Sequence, residues 1–275
     1  MEGIIKLLNV VLPVLYFYTT YLYAIFFFRE QQPAGQKATR MLHTTIAIHI
    51  VEIILRGVYY RHFPVATVWE AFSVIALAVA LIYAYVEYRS GNKTTGYYIL
   101  IFVFFIQLFS SAFFDTLKGE FPPFLTSSLF IFHVSSAILG YSSFIISAIY
   151  GLMYLMLFHE IKQSHFGIIY RRLPSLEELS EMNVRAANIG LFFLTLAIIL
   201  GLGLTGQVYV SFSPFDAKAI ITYIAWFIYA LVVYGKVKAR WPGRVMALLS
   251  LSGLAVILFS MLVVNLFMSN FHEFK

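Results

Sequence analysis

The chain has 275 residues, 61% of them hydrophobic and only 12% charged, with a mean hydropathy of +0.83. That leaves too little polar surface to coat a soluble globule of this size, so the sequence describes an integral membrane protein. The formal net charge of +6 is read as an orientation signal instead of a nucleic-acid footprint, because basic residues in membrane proteins collect on the cytoplasmic side.

The apolar residues come in blocks of about 20, the length at which a helix crosses a hydrocarbon core; barrel strands would show shorter alternating runs. The predicted fold class is therefore all-α, a polytopic membrane helical bundle of about eight transmembrane helices. Charged and turn-rich breaks place the spans at 4–28, 41–58, 66–88, 96–114, 125–158, 186–206, 218–236 and 245–269. The first block, Ile4 to Phe28, lacks a basic start and ends on Arg29 and Glu30 without a small-residue cleavage pattern, so it is read as a retained helix and not as a signal peptide. The absence of cysteine excludes disulfides, thiolate metal sites and thiol chemistry by the protein itself.

An even number of spans puts both termini on one side. With the N-terminus outside, the inner loops collect Arg29, Lys37 and Arg40, then Arg89 and Lys93, then Lys162, Arg171, Arg172 and Arg185, then Lys236, Lys238, Arg240 and Arg244. This is most of the basic residues, and the bias predicts that both termini are extracytoplasmic. His62, His133 and His272 then fall at the outer face, His159 and His165 at the inner face, and His43 and His49 on the second helix.

The fifth span is too long for a simple crossing, since its 34 residues rise about 51 Å against a core of about 30 Å. It is expected to project into the cytoplasm and end near His159 to Lys162. In the inner segment that follows, RRLPSLEELSEMNVRAAN, Ser175 precedes Leu176, Glu177 and Glu178, the signature of a helix start with acids in its first turn. A helix lying on the membrane surface is one reading of this segment. No internal repeat or low-complexity linker is evident, and residues 1–275 are read as a single domain.

Three features invite a chemical reading. GLGLTG at Gly201 to Gly206 matches the dinucleotide fingerprint formally, but no strand precedes it, and small residues that let helices approach closely explain it better. His49, Glu52 and Arg56 share one face of the second helix; they form either an internal polar network that fixes packing or a second polar site with a ligand or proton role, to which Tyr234 is added below. His133 and His272 sit at helix ends on the same predicted face, with the aromatic loop Gln207 to Asp216 (QVYVSFSPFD) between them in sequence. Each is either an interfacial side chain or an axial ligand of haem iron.

Several segments resemble those of the cytochrome c assembly membrane proteins, the CcsA and CcmC type of haem-handling proteins. HFPVATVWEAF, with Glu70, resembles that family's HFPL segment. SSLFIFHVSSAILGY resembles the helix whose outer histidine ligates haem, which maps to His133. LPSLEEL resembles the family's cytoplasmic stretch, and VNLFMSNFHEF its closing segment, which maps the second ligand to His272. The family's tryptophan-rich loop corresponds here to YVSFSPFDAKAI: Tyr209, Ser213 and Phe215 stand at its tryptophan positions, Asp216 and Lys218 remain, and Ala219 replaces an acidic residue. A histidine of the family's seventh helix aligns with Tyr234.

The resemblance implies a non-enzymatic protein of the bacterial-type cytoplasmic membrane. It would hold haem b at the outer face on His133 and His272, with Tyr209, Phe215, Asp216 and Lys218 around the macrocycle, for cytochrome c biogenesis. The implied partners are haem, an apocytochrome or assembly protein, and membrane lipid, with no nucleic acid. The degenerate loop also resembles the HemX subgroup, which is associated with control of glutamyl-tRNA reductase and implies a haem-biosynthesis enzyme as partner at the cytoplasmic face. A transporter of another small molecule, using the second-helix polar residues, is the third reading.

Overall fold

A computed structural model of the chain describes residues 1–113, 127–208 and 217–260. Among them the protein is a polytopic membrane bundle of nine helices: α1 (Glu2–Arg29), α2 (Gln32–Tyr60), α3 (Val68–Ser90), α4 (Gly96–Ala112), α5 (Ser128–Lys162), α6 (Ile168–Arg172), α7 (Leu176–Val208), α8 (Ala217–Val237) and α9 (Gly243–Phe259). Six are long and apolar enough to cross a membrane, and α4 and α9 are shorter apolar helices. These eight correspond in order to the eight spans read from the sequence.

Two boundaries differ from expectation for one physical reason: a helix continues past the hydrocarbon wherever its backbone bonds continue, and hydropathy does not register that part. α2 begins at Gln32, well before the predicted 41. α7 begins at Leu176, so the segment read as a surface helix is instead the first turns of a continuous 33-residue helix. Its start was legible: the Glu178 amide donates to Ser175 Oγ (3.2 Å) while the Ser175 amide donates to Glu178 Oε2 (2.9 Å), a reciprocal capping box. α5 ends at Lys162, as its length required.

The chain forms two compact units, one built on α1–α4 with Arg171–Leu173 and the other on α5 and α7–α9. In the first, α1 packs on α2 and α4, and α3 on α2 and α4. The α1–α2 turn is tight because Gly35 has no side chain; a Cβ there would lie 2.7 Å from the Phe26 ring. Arg172 closes the C-terminal end of α1, where helix carbonyls lack partners. It donates to the Phe26 carbonyl (2.9 Å) and lies 4.9 Å from the centre of that ring. At the start of α3, Thr67 Oγ1 accepts from the Glu70 amide (3.1 Å) and the Glu70 carboxylate accepts from Ala66 (2.8 Å). Glu70, singled out in the HFPVATVWEAF segment, is thus a buried capping residue.

The second unit rests on α5 and α7, which run antiparallel along their length. The facing residues alternate steps of three and four: His133, Ala137, Gly140, Phe144, Ser147 and Gly151 on α5, with Asn183, Ala187, Gly190, Leu194, Ala197 and Gly201 on α7. A period of 3.5 keeps one stripe of each helix on its neighbour. Many of these residues are small, so the backbones approach closely, which is how membrane helices associate without a hydrophobic driving force. A Cβ on Gly140 would sit 3.0 Å from the Leu194 nitrogen, and one on Gly190 would be 3.1 Å from the Gly140 carbonyl. Around this pair, Asn183 donates to the Ser147 carbonyl (2.8 Å) and to Ser250 Oγ (2.9 Å). Tyr229 lies flat on Phe144, ring centres 3.7 Å apart. Gly140→Val should therefore destabilise the protein by about 1–3 kcal/mol through overpacking. Thermal unfolding in detergent measures this, and an unchanged transition would contradict the seam.

Candidate functional site

His133 is the seam member nearest the N-terminal end of α5. Its Nδ1 lies 2.8 Å from the Ala197 carbonyl of α7. A carbonyl only accepts, so Nδ1 carries the hydrogen and donates it, and the neutral ring then has its lone pair on Nε2. An imidazole fixed through one nitrogen in this way is the usual support of a metal-binding histidine. The approach depends on Gly201, one turn beyond Ala197: a Cβ there would lie 2.8 Å from His133 Cε1 and 3.1 Å from its Nδ1. At Gly203 a Cβ would meet nothing within 4 Å. The glycines of GLGLTG are therefore not equivalent, and the stretch lies inside α7 with helix on both sides, which supports the packing reading.

The structure thus brings together His133, Ala197 and Gly201. His272, Tyr209, Phe215 and Asp216 lie outside the described residues. Lys218 stands in the first turn of α8, and its side chain also lies outside them.

The second polar group is built on α2. His49, Glu52 and Arg56 are fully buried on one face, as their spacing predicts. Arg56 donates through Nε (2.8 Å) and Nη2 to the same oxygen of Glu52, Oε1, while Oε2 of that carboxylate has no hydrogen-bond partner among the described residues. His49 bridges α1 and α3: Tyr16 OH is 2.9 Å from Nδ1 and Ser73 Oγ 2.9 Å from Nε2. Ser73 donates onward to Gln107 Oε1 on α4 (3.2 Å). With both ring nitrogens engaged, His49 fits the network reading better than that of an iron ligand. Tyr234 belongs to the second unit; it is exposed, with its ring edge-on to Trp241 at 6.4 Å, the setting of an interfacial aromatic anchor.

Sequence reasoning passed over Glu87. This buried carboxylate accepts from the hydroxyls of Tyr23, Tyr83 (2.7 Å) and Thr39 (2.5 Å). A visible signal existed, since Tyr83 and Glu87 are four apart on an apolar helix and so share a face.

Against these contacts, comparison with known proteins is informative. The family model described as cytochrome C assembly protein matches residues 65–272. The chain belongs to the cytochrome c assembly protein family. The match takes in α3, the seam of α5 and α7, His133 and His272. Within the family, the chain is 25% identical over 251 residues to the cytochrome c biogenesis protein CcsA of Guillardia theta, covering 84% of this chain and 83% of that protein. It is 26% identical over 259 residues to CcsA of Prochlorococcus marinus strain MIT 9515, covering 84% and 82%. It is also 26% identical over 240 residues to protein HemX of Brevibacillus brevis, covering 82% of this chain and 86% of that protein.

The Glu52–Arg56 pair yields a stability test. Arg56→Met leaves a buried carboxylate without its counter-charge and should cost about 3–5 kcal/mol, whereas Glu52→Leu combined with Arg56→Met should be close to neutral. Chemical denaturation of the two variants in the same detergent separates these outcomes.

Proposed function

We propose that the protein holds haem b at the extracytoplasmic face of a bacterial-type cytoplasmic membrane and delivers it in cytochrome c biogenesis. The observation that carries this reading is the bond from His133 Nδ1 to the Ala197 carbonyl. It fixes the ring through Nδ1, the way a metal-binding histidine is usually held and oriented. In this reading His272 would supply the second imidazole that holds the iron. Tyr209 and Phe215 supply apolar contact, Asp216 belongs to the same loop, and Lys218 pairs with a propionate. When bound, haem supplies the iron and the macrocycle that an apocytochrome or assembly partner takes up. The chain's own side chains hold, orient and release; they do no covalent chemistry.

Absorption spectroscopy of the purified protein tests the reading. Haem-replete expression should give a Soret band that is lost when His133→Ala and His272→Ala are combined. Absence of the band in the parent protein, or its persistence in the double variant, would overturn it. Gly201→Val should lower haem occupancy severalfold by pushing the imidazole off Ala197, since overpacking at a closed contact costs about 1–3 kcal/mol. Gly203→Val, which meets open space, should leave occupancy unchanged.

A second reading is favoured by the HemX relative, matched over 86% of its length, and by the start of α7, where Glu177, Glu178 and Arg185 are exposed. In this reading the protein regulates haem biosynthesis by contacting glutamyl-tRNA reductase through residues 159–185. Co-purification of that enzyme, lost when the segment is replaced, supports it; loss of mature c-type cytochromes on deletion with normal haem levels supports delivery instead.

A further inference from the structure

The α1–α4 unit contains more buried polar chemistry than packing requires, and none of it belongs to the residues assigned to haem. We propose that this unit conducts protons across the membrane along a file of carboxyl, hydroxyl and imidazole groups between its helices.

The file begins at the end of the unit that carries Lys37, Arg40, Arg89 and Lys93, which the charge bias marks as cytoplasmic. Glu87 there is 4% exposed and lines a cavity of about 180 Å³, together with Thr39, His43, Tyr88 and Lys93. His43 and Tyr88 are exposed, so the carboxyl sits just inside the surface of the unit. Its oxygens accept from Tyr23, Tyr83 and Thr39. One turn of α1 further on, Thr19 Oγ1 meets Thr45 Oγ1 of α2 at 3.2 Å, both fully buried. One turn of α2 beyond Thr45 lies His49, with Tyr16 on one nitrogen and Ser73 on the other. Glu52 follows within the next turn, its Oε2 without a hydrogen-bond partner among the described residues.

From the threonine pair to His49 and on to Glu52, successive stations are offset by about one helical turn along α2, a backbone rise of roughly 5.4 Å. A rotating hydroxyl or a single bridging water covers that distance. Chains of Asp, Glu and His in membrane spans are the chemistry of proton pathways. An imidazole bonded at both nitrogens suits relay, because it accepts a proton at one nitrogen and releases another from the opposite one. In a full passage one proton enters at Glu87 and one leaves at Glu52. Each hydroxyl and imidazole between them gives up one proton as it receives one, so no group is consumed. Arg56, with Glu70 and His62, lies at the far end, all three buried.

A purely structural role would explain the hydrogen bonds, but it gives no reason for buried carboxyls at both ends or for the open oxygen of Glu52. The test uses the full-length protein in liposomes containing a trapped pH indicator, with a potassium gradient and valinomycin to drive protons. The protein should change internal pH faster than empty liposomes. His49→Leu, Glu87→Gln and Glu52→Gln should each return the rate to that of empty liposomes, while Tyr85→Phe, on an exposed position of α3, should not. Melting temperature checks that each variant is folded; if His49→Leu is not, Ser73→Ala interrupts the same station with a small change. A rate no faster than that of empty liposomes for the parent protein, or undiminished flux in folded variants, would overturn the proposal.

Discussion

The close approach of α5 and α7 is the constraint on which the position of His133 depends. In a bilayer, lipid and leucine are equally apolar, so two helices stay together only if their surfaces fit or hydrogen-bond. Gly140 and Gly190 let the backbones meet, Gly201 leaves room for the His133 ring, and Asn183 anchors the seam through Ser147 and Ser250. His133 is carried on the same stripe. Its orientation is therefore set by packing that extends over several turns and by its own bond to the Ala197 carbonyl.

The two units handle polar groups in opposite ways. In the α5–α9 unit they sit at helix crossings: the Tyr229 hydroxyl lies within hydrogen-bond reach of the Phe144 carbonyl (3.0 Å) and the Ser250 carbonyl (2.9 Å). In the α1–α4 unit they extend through the bundle, from Glu87 to the Glu52–Arg56 pair. Satisfied polar networks fix a unique arrangement of helices at a cost in desolvation. That cost is easier to understand if the groups also carry charge or protons.

Much of this was legible in the sequence, for reasons that can be named. Hydropathy located the eight apolar helices because burial in hydrocarbon demands long apolar runs. The three-and-four spacing placed His49, Glu52 and Arg56 on one face, and Ser175 marked a helix start through its capping chemistry. What hydropathy hid was helix outside the hydrocarbon, at Gln32–Arg40 and at the head of α7. It also hid partnerships between distant residues. Nothing local says that His133 meets Ala197, or that Thr39 meets Glu87; those contacts follow from which stripes face one another. The 3.5-residue recurrence of small residues on α5 and α7 was the available clue to the first of them.

That recurrence makes segment length a constraint in its own right. His133 and Gly140 are separated by two turns with no irregularity between them. Inserting one residue there would rotate the imidazole about 100° around the helix axis, off the Ala197 carbonyl and towards lipid or a different neighbour. Hydropathy and charge would be essentially unchanged. Drift in composition along this stretch is thus tolerable so long as the residues stay apolar and small where they must, whereas insertions and deletions between the histidine and the seam glycines are not.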